Sequence, residues 1–184
     1  MIRSKADLKF YLEADRKALR IGKRLPSLLG DRVWKFQRAL RMCEYHKNTG
    51  NRLLYGLHKW RYERLSERTG FSIPLNVFGP GLSIAHPGTI VVHHNARIGA
   101  NCRIHVCVNI GASKGGDRAP RLGDNVYIAP GAKLFGDIEI ASDIAIGANA
   151  VVNKSFLEPG VTIAGVPAKK ISARDSRGLV VRAA

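Results

Sequence analysis

The sequence predicts a mainly β protein in which a parallel β-helix follows an α-helical region. Two patterns carry this expectation. A large apolar residue recurs at every sixth position over long runs between residues 78 and 152, whereas residues 1–70 show the three-to-four spacing of amphipathic helices. With 184 residues and 45% hydrophobic content, the chain is long and apolar enough to bury a core. We expect a helical region at 1–70, a β-helix at 71–172 and a loosely ordered tail at 173–184.

Three helices are predicted in the first region. Ser4 and Asp7 have the spacing of a capping box at the start of the first helix. The second helix is expected from about residue 31 to 47, before the stop signal "NTGN". The third is marked by Leu53, Leu57 and Trp60 and ends near Gly70. We interpret the tryptophan and other aromatic positions of these helices as core residues without a chemical role.

The second region, residues 71–172, has the sequence pattern of hexapeptide repeats. Each hexapeptide forms one short strand and one turn, its aliphatic residue points inward, and three hexapeptides close one triangular coil. One coil cannot bury its own apolar face, so stacked coils share a continuous aliphatic column. The residues in phase are Phe78, Ile84 and Ile90; Val92, Ile98, Ile104 and Ile110; and Leu122, Ile128, Leu134, Ile140, Ile146 and Val152.

The six-residue period breaks twice. The register shifts by two residues between Ile90 and Val92, immediately after "AHPGT", and the spacing doubles between Ile110 and Leu122, across "GASKGGDRAPR". The second stretch is Gly-rich and charged, as expected of a loop pushed out of the coil. A tolerated insertion would explain either break. Two breaks close together in sequence favour a functional site.

The positive charge is concentrated in the helical region. Residues 1–70 hold 18 Lys and Arg against 7 Asp and Glu, and residues 71–184 hold 12 against 7, within a net charge of +16. Such a surface attracts polyanions, including an anionic membrane face, or is simply a solvated helical surface. No nucleic-acid-binding signature is present, and we expect no nucleic acid partner.

Cellular location follows from what the sequence lacks. No apolar run is long enough to span a bilayer, and the charged start "MIRSKADLKF" is unlike a signal peptide. We therefore expect a cytoplasmic protein, with the inner face of the membrane as one place where it could act. Cys43, Cys102 and Cys107 form no C-x-x-C pair, and we expect them to be buried small apolar residues.

The repeat region resembles a known family. The stretch "GLSIAHPGTIVVHH", the "GGDR" loop and the closing "AGVPAK" are similar to the hexapeptide-repeat acyltransferases, and within them to the serine acetyltransferase branch, which includes O-acetyltransferases of bacterial polysaccharide synthesis. The resemblance covers about residues 68–172. It implies a left-handed β-helix, usually a homotrimer, with acetyl-CoA bound between subunits. It also implies a histidine general base, and His86 matches that position. An imidazole suits the task because it titrates near neutrality.

Three positions depart from the serine-specific pattern of this branch. That pattern has an aspartate directly before the catalytic histidine and another fifteen residues before it, where this chain has Ala85 and Phe71. It also has a histidine after the "GGDR" arginine, where this chain has Ala119. The side chains that would bind the ammonium and carboxylate groups of serine are thus replaced by apolar ones. We therefore expect a sugar or polysaccharide hydroxyl as acceptor, with serine as the alternative.

The resemblance also implies binding residues. Arg118 matches the loop arginine and is expected to contact the acceptor or to form a bracing salt bridge with Asp117. His93 and His94 are expected in a turn beside the acceptor groove. Lys169 and Lys170 suit the phosphates of the cofactor, or are merely solvated. Small residues at coil corners would let the pantetheine arm approach the main chain; these are Gly111, Ala112, Pro130 and Ala148.

Two other classes of function are weighed against this one. Some β-helices bind zinc through three histidines, and His86, His93, His94 and His105 are close in sequence, but the H-x4-H spacing of that branch is missing. We expect no metal. A non-catalytic β-helix scaffold that docks through its basic helices is the other alternative. It would not need the histidine-bearing coil together with "AGVPAK".

Overall fold

The computed structural model describes residues 1–27, 30–113 and 115–184. In these ranges three helices, α1 (Lys5–Ala18), α2 (Arg32–Asn48) and α3 (Arg52–Thr69), precede a series of short strands. The strands are β1 (Phe71–Ser72), β2 (Ser83–Ile84), β3 (Ile90–Val92), β4 (Arg97–Ile98), β5 (Arg103–Ile104), β6 (Asn109–Gly111), β7 (Arg121–Leu122), β8 (Tyr127–Ile128), β9 (Lys133–Phe135), β10 (Glu139–Ile140), β11 (Ala145–Ile146), β12 (Val151–Val152), β13 (Thr162–Gly165) and β14 (Ala168–Ser172).

Local sequence sets the helix ends. The Ser4 hydroxyl accepts a hydrogen bond from the Asp7 amide while the Asp7 carboxylate accepts one from the Ser4 amide, which confirms the predicted capping box. Asn51 caps α3 by accepting from the Leu54 amide. Gly70 ends α3 in the left-handed conformation, with φ of 78°, which a residue with a Cβ adopts at a cost.

The strands form the three faces of a triangular prism. Face A contains β1, β3, β6, β9 and β12; face B contains β4, β7 and β10; and face C contains β2, β5, β8, β11, β13 and β14. From β1 to β13, successive strands lie on different faces, and these strands pair in parallel; β14 returns antiparallel to β13 on face C. The predicted left-handed parallel β-helix is confirmed.

The interior of the prism is the predicted aliphatic column. Every in-phase residue from Phe78 to Val152 is buried, and none is more than 5% exposed. At about 25 cal/mol per Å² of apolar area, this column is the main favourable contribution to the folding of the β-helix. The six-residue period therefore predicted one set of core residues correctly; the residues two positions earlier, such as Ala96, Val108 and Val126, are buried as well.

Both breaks in the period are insertions at corners. Ile84 pairs with Ile104 and Val92 with Ile110, so the chain takes eight positions in the first coil where it takes six in the next. The two extra residues lie in the corner between β2 and β3, which holds His86. Leu122 pairs with Ile98, so residues 112–113 and 115–120 lie outside the coil in a loop before β7.

A buried polar cluster joins the helices to the first coil. Arg41 donates to the Asp15 carboxylate at 2.8 and 3.2 Å and to Glu44 at 3.0 Å, and all three side chains are buried. Arg41 also donates to the Phe78 and Gly79 carbonyls. Burial lowers the pKa of Arg41, but the two carboxylates outweigh it and raise that pKa overall. The guanidinium therefore stays charged and fixes the first coil against α1 and α2.

Carboxylates complete this attachment. The Asp15 carboxylate accepts from the Gly81 and Leu82 amides, and Glu44 accepts from the Asn76 amide. These bonds satisfy main-chain donors at the open end of the β-helix, where no earlier coil exists to pair with them. Burial, the largest influence, raises the pKa of Glu44 above its ordinary value.

Two expectations about side-chain burial were wrong. The expectation of buried aromatic residues fails for Trp60, which is 59% exposed, because α3 packs on α2 through its opposite face; Leu53 and Leu57 on the same side are exposed too. Trp34, Phe36 and Tyr62 are buried as expected. Cys107 is exposed, since it lies at a coil corner with φ of 61° instead of pointing inward; Cys43 and Cys102 are buried as expected.

The C-terminal tail is not loose, contrary to expectation. Ser176 is buried, and its hydroxyl donates to the Asn125 carbonyl. Arg182 pairs with Asp143, and the Ala183 and Ala184 amides donate to the Asn101 side chain. The tail follows one edge of the prism because a ladder of corner side chains there offers polar partners. None of the helices in the described ranges is long and apolar enough to cross a membrane.

Candidate functional site

His86 lies on the corner that carries the two extra residues. It follows β2 directly, and its side chain is exposed in the single chain. The Gly88 amide donates to the Thr69 carbonyl at 2.8 Å, which anchors the far side of this corner to the end of α3. A Cβ on Gly88 would lie 2.9 Å from a methyl group of Val106, so a glycine is needed for the close approach to the next coil. The corner is fixed while the His86 imidazole remains accessible.

His105 is the ionisable neighbour of His86 in the next coil. The Ala85 amide donates to the Ile104 carbonyl, so His86 lies near His105 at the same corner. The His105 ring packs edge-on against Tyr127, with centroids 5.2 Å apart. Among the described residues, His105 Nε2 is buried without a hydrogen-bond partner. Burial lowers the pKa of His105, and Arg103 and His86 lower it further, so His105 stays neutral at neutral pH.

A column of corner residues continues from His86 along the prism. The Cys107 amide donates to the Thr89 carbonyl, the Gly131 amide to Val106 and the Asn149 amide to Pro130. These bonds stack the corner segments around residues 86–89, 106, 130 and 148. Pro130 and Ala148 therefore lie on the same edge as His86, and both are exposed.

Lys169 lies at the far end of that edge. It pairs with Ala164 in β13, and Ala164 packs on Gly147 of the preceding coil. Five strand spacings of about 4.8 Å separate β2, which His86 follows, from β14, which holds Lys169, a span of about 24 Å. Lys170 instead forms an ion pair with Glu158 at 2.6 Å, so it is neither free nor merely solvated. The edge suits an elongated ligand with a reactive end at His86 and an anionic end at Lys169.

The other predicted site residues occupy a different edge. His93 and His94 follow β3, with ring centroids 4.3 Å apart, and the Ala96 amide donates to the His93 carbonyl in the expected turn. The Asn95 side chain donates to the Asp117 carbonyl and so tethers this part of the loop before β7 beside the two histidines. Gly111 and Ala112 lie at this edge too, not beside Pro130 and Ala148.

Arg118 forms an ion pair, but with a residue that the sequence did not suggest. Its guanidinium pairs with Asp137 at 3.0 Å, whereas the expected alternative partner was Asp117. Asp137 is on the next coil, so the pairing depends on the register of the β-helix. Both side chains are exposed, and such a pair contributes little to stability. A cavity of about 260 Å³ beside the loop is lined by Asn95, Arg97, Asp117, Arg118, Ala119, Arg121 and Asp137.

The candidate site is thus divided between two edges of one chain. Strand β3 (Ile90–Val92) separates the His86 corner from the His93 corner, and three strand residues span about 10 Å. His86 with Pro130, Ala148 and Lys169 forms one group. The histidine pair with the Arg118 loop forms the other.

The positions that depart from the serine-specific pattern are apolar in the structure as well. Phe71 is 2% exposed and packs edge-on against Phe36, with centroids 4.9 Å apart. Ala119 is buried at the base of the loop. The residue directly before His86 is Ala85, so no carboxylate adjoins the imidazole in sequence. Over the described residues, no group of three or more His, Cys, Asp or Glu side chains could hold a metal ion.

Two residues of the candidate site, His105 and Asp137, were not predicted from the sequence. His105 was considered only as a metal ligand, although it follows Ile104 as Ala85 follows Ile84, and this shared phase could have placed it beside His86. No pattern in the sequence indicated Asp137, because the six-residue insertion in the loop prevents the period from showing which coil lies beside Arg118.

Comparisons with known proteins place the chain in a family. No family model matches it. It is 31% identical over 169 residues to a serine acetyltransferase of Staphylococcus epidermidis, covering 90% of this chain and 76% of that protein. It is 41% identical over 106 residues to a serine acetyltransferase of Mycobacterium tuberculosis, covering 56% of this chain but 46% of that protein. The chain therefore spans less than half of one relative and about three quarters of the other.

Solved structures agree with these relatives. The serine acetyltransferase of Neisseria gonorrhoeae in complex with serine superposes with a TM-score of 0.75 at 31% identity, over 92% of this chain and 71% of that one. The serine acetyltransferase of Brucella abortus in complex with coenzyme A superposes with a TM-score of 0.72 at 26% identity, over 92% and 68%. On sequence identity, coverage and fold together, the chain belongs to the serine acetyltransferase family.

Proposed function

We propose that the chain is an acetyl-CoA-dependent O-acetyltransferase in which His86 is the general base. The observation that carries the proposal is the edge that begins at the exposed His86 and ends at Lys169. A relative of the same fold binds coenzyme A. The pantetheine arm would lie along Pro130 and Ala148, with the phosphates near Lys169. Gly111, Ala112 and Lys170 are weaker candidates, because the first two lie at the other edge and Lys170 is paired with Glu158.

The chemistry follows from an imidazole next to a thioester. His86 removes the proton from the acceptor hydroxyl as its oxygen attacks the acetyl carbonyl carbon. The tetrahedral intermediate collapses, the carbon–sulfur bond breaks, and the departing thiolate takes the proton from the imidazolium. The acetyl group passes directly to the acceptor, so no covalent enzyme intermediate forms. Neutral His105 beside His86 avoids placing a second positive charge next to the imidazolium.

L-serine is the acceptor that the relatives favour. The chain is 31% identical to a serine acetyltransferase whose structure contains serine. The relatives described above are all serine acetyltransferases, so this support is stronger than that for the saccharide expected from the sequence alone. Arg118, on a loop held by Asp137, is a suitable partner for the serine carboxylate, with His93 and His94 nearby.

A saccharide hydroxyl remains a second candidate because of one observation. The positions that carry aspartates in the serine-specific pattern are Ala85 and Phe71, and Phe71 is buried against Phe36. The described part of the chain therefore offers no carboxylate beside His86 for the serine ammonium. A sugar hydroxyl needs none.

We also infer a homotrimer. His86 and the Arg118 loop lie on different edges of one chain, and β3 separates them. A neighbouring copy that packs against face A could bring its loop to the His86 edge of the first. Each site would then combine residues from two copies.

The test is release of coenzyme A thiol from acetyl-CoA with different acceptors. We expect turnover with L-serine that exceeds turnover with nucleotide sugars and oligosaccharides, and Arg118→Ala should raise the KM for serine more than it lowers kcat. Faster turnover with a saccharide would replace serine by the second candidate. If no acceptor supports release above hydrolysis, the enzyme proposal is wrong and the scaffold alternative gains support.

A further inference from the structure

The outer side of α3 is an exposed apolar stripe with a basic border. Leu53, Leu57 and Trp60 are spaced four and three residues apart, so they lie on one side of the helix, and each is more than half exposed. Arg61 and Arg64 border them, and the Arg64 guanidinium lies 5.4 Å from the centre of the Trp60 ring. We call these five residues the α3 face.

The α3 face is not needed to hold the helix in place. The opposite side of α3 packs on α2, and there Tyr62 is 7% exposed and donates a hydrogen bond to the Ile73 carbonyl. Asn51 and Gly70 cap the helix at its two ends. A rigid helix thus presents three large apolar side chains at the surface of the single chain, and exposed apolar clusters of this kind mark interaction surfaces.

The charges indicate the chemistry of the partner. α3 holds five Arg and Lys against two Glu, within a region that holds 18 against 7. Lys59 is engaged by Glu63 at 2.5 Å, whereas Arg61, Arg64 and Arg68 have exposed side chains. A partner for this surface must therefore offer an apolar layer that can bury these side chains and a negatively charged boundary that can pair with the arginines.

We propose that the α3 face docks on an anionic membrane surface. Leu53, Leu57 and Trp60 would enter the headgroup region, where tryptophan is favoured, and Arg61 and Arg64 would contact lipid phosphates. Each basic residue near such a surface contributes about 1 kcal/mol. No other helix of the described chain needs to enter the bilayer for this contact.

A second copy of the chain fits this surface less well. Docking of two α3 faces would bring arginines of both copies together. The stripe also covers about 10 Å of helix, since seven residues rise 1.5 Å each. The stripe by itself is therefore smaller than the roughly 800 Å² of surface that each partner buries in a stable interface.

The experiment uses the full chain and two kinds of vesicle. One is phosphatidylcholine alone, and the other contains about 30% of the anionic lipid phosphatidylglycerol. We expect cosedimentation with the anionic vesicles only, and loss of most binding as salt rises from about 0.05 to 0.5 M. Trp60 emission should shift to the blue, because Trp34 is already buried. The shift should vanish in Trp60→Phe.

Matched variants separate the α3 face from general positive charge. Arg61→Glu with Arg64→Glu should reduce vesicle binding at least tenfold, and so should Leu53→Ser with Leu57→Ser. Lys154→Glu with Arg174→Glu makes the same charge change on exposed residues of the β-helix and the tail, and it should leave binding within twofold. Circular dichroism and the assembly state should be unchanged in every variant.

Several results would overturn the proposal. These are equal binding to neutral vesicles, equal loss of binding in the control variant, and absence of vesicle binding by the wild-type chain. Concentration-dependent association that Leu53→Ser with Leu57→Ser abolishes, without vesicle binding, would instead assign the α3 face to a second copy. Acetyl transfer in free solution should not change in the α3 variants, so this proposal and the proposed activity can fail separately.

Discussion

Phe71 packs edge-on against Phe36, with their ring centroids 4.9 Å apart, and this contact joins the first strand of the β-helix to α2. The serine-specific pattern has an aspartate at the position of Phe71. In this chain the position is inside the core, so the substitution changes the packing of two regions as well as the charge near the site. The helices and the β-helix are thus parts of one packed unit.

We predict that Phe71→Asp lowers the free energy of unfolding by more than about 3 kcal/mol, because it leaves a carboxylate buried without a partner. It should not increase turnover of serine. Phe71→Leu should cost about 1.5 kcal/mol or less, since it keeps the site apolar. Urea unfolding followed by circular dichroism measures both values. A loss below 1 kcal/mol for Phe71→Asp would show that the position is not the core site described.

The buried ion cluster gives a second prediction. Arg41→Met should destabilise the fold by about 3–5 kcal/mol, because Asp15 and Glu44 would then be buried carboxylates without their cation. Arg38→Met, a neighbouring helical arginine that is half-buried and forms no ion pair in the described chain, should cost about 1 kcal/mol or less. Equal losses in the two variants would contradict the assignment of Arg41 as the link between helices and first coil.

The three cysteines should differ in reactivity. Cys43 and Cys102 are buried, and burial raises the pKa of Cys43 to about 11 and that of Cys102 further above its ordinary value. Cys107 is exposed beside Val106 on the His86 edge. Brief treatment of the folded protein with iodoacetamide should label Cys107 alone, as read by mass spectrometry, and acetyl-CoA should slow the labelling. Labelling at an unchanged rate with saturating acetyl-CoA would argue against cofactor binding along this edge.

Stability should fall in mild acid because of a histidine pair between α2 and α3. His46 and His58 stack with centroids 4.9 Å apart, and burial, followed by the nearby His46, lowers the pKa of His58 below 6.5. Below about pH 6.5 the unfolded chain binds a proton at His58 that the folded chain does not, so the free energy of unfolding decreases as pH falls. This contribution is fully present above that pH.

His58→Gln should therefore flatten the decline in urea midpoint between pH 7 and 5. Above pH 7.5 the difference between wild type and variant should be constant. Identical slopes for the two proteins between pH 7 and 5 would show that His58 does not contribute to acid sensitivity.

The sequence predicted much of the fold because the β-helix is periodic. The phase of Ile84, Ile104 and Ile128 was sufficient to identify one buried residue in each hexapeptide. The residue two positions earlier, as at Leu82 and Val126, is buried too, and the large apolar residues of the period did not identify it. Spacing alone did not predict which side of α3 is covered, because Leu53, Leu57 and Trp60 define a stripe but not the element that packs on it. The partners of Arg118 and of the tail depend on the register between distant coils, which insertions of two and six residues alter.

The candidate site was predicted in part for the same reason. His86 stands at a break in the period, and a break is visible in sequence. The separation of His86 from His93 by β3 was not foreseen, since seven residues along the chain suggested proximity, whereas a strand between two corners holds them apart. The grouping of Lys169 with His86 came only from the stacking of corners along one edge.

The central claim is that His86 is the base that activates the acceptor hydroxyl, and single-turnover transfer of the acetyl group tests it most directly. We predict that His86→Ala lowers the rate of transfer to serine by about 10² to 10⁴-fold, while affinity for acetyl-CoA and the thermal midpoint stay close to wild type. His58→Gln, which changes a histidine on α3 away from both edges, is the matched control and should leave the rate close to wild type at pH 7.5. A His86→Ala rate within tenfold of wild type, in a protein that still binds acetyl-CoA, would contradict the assignment.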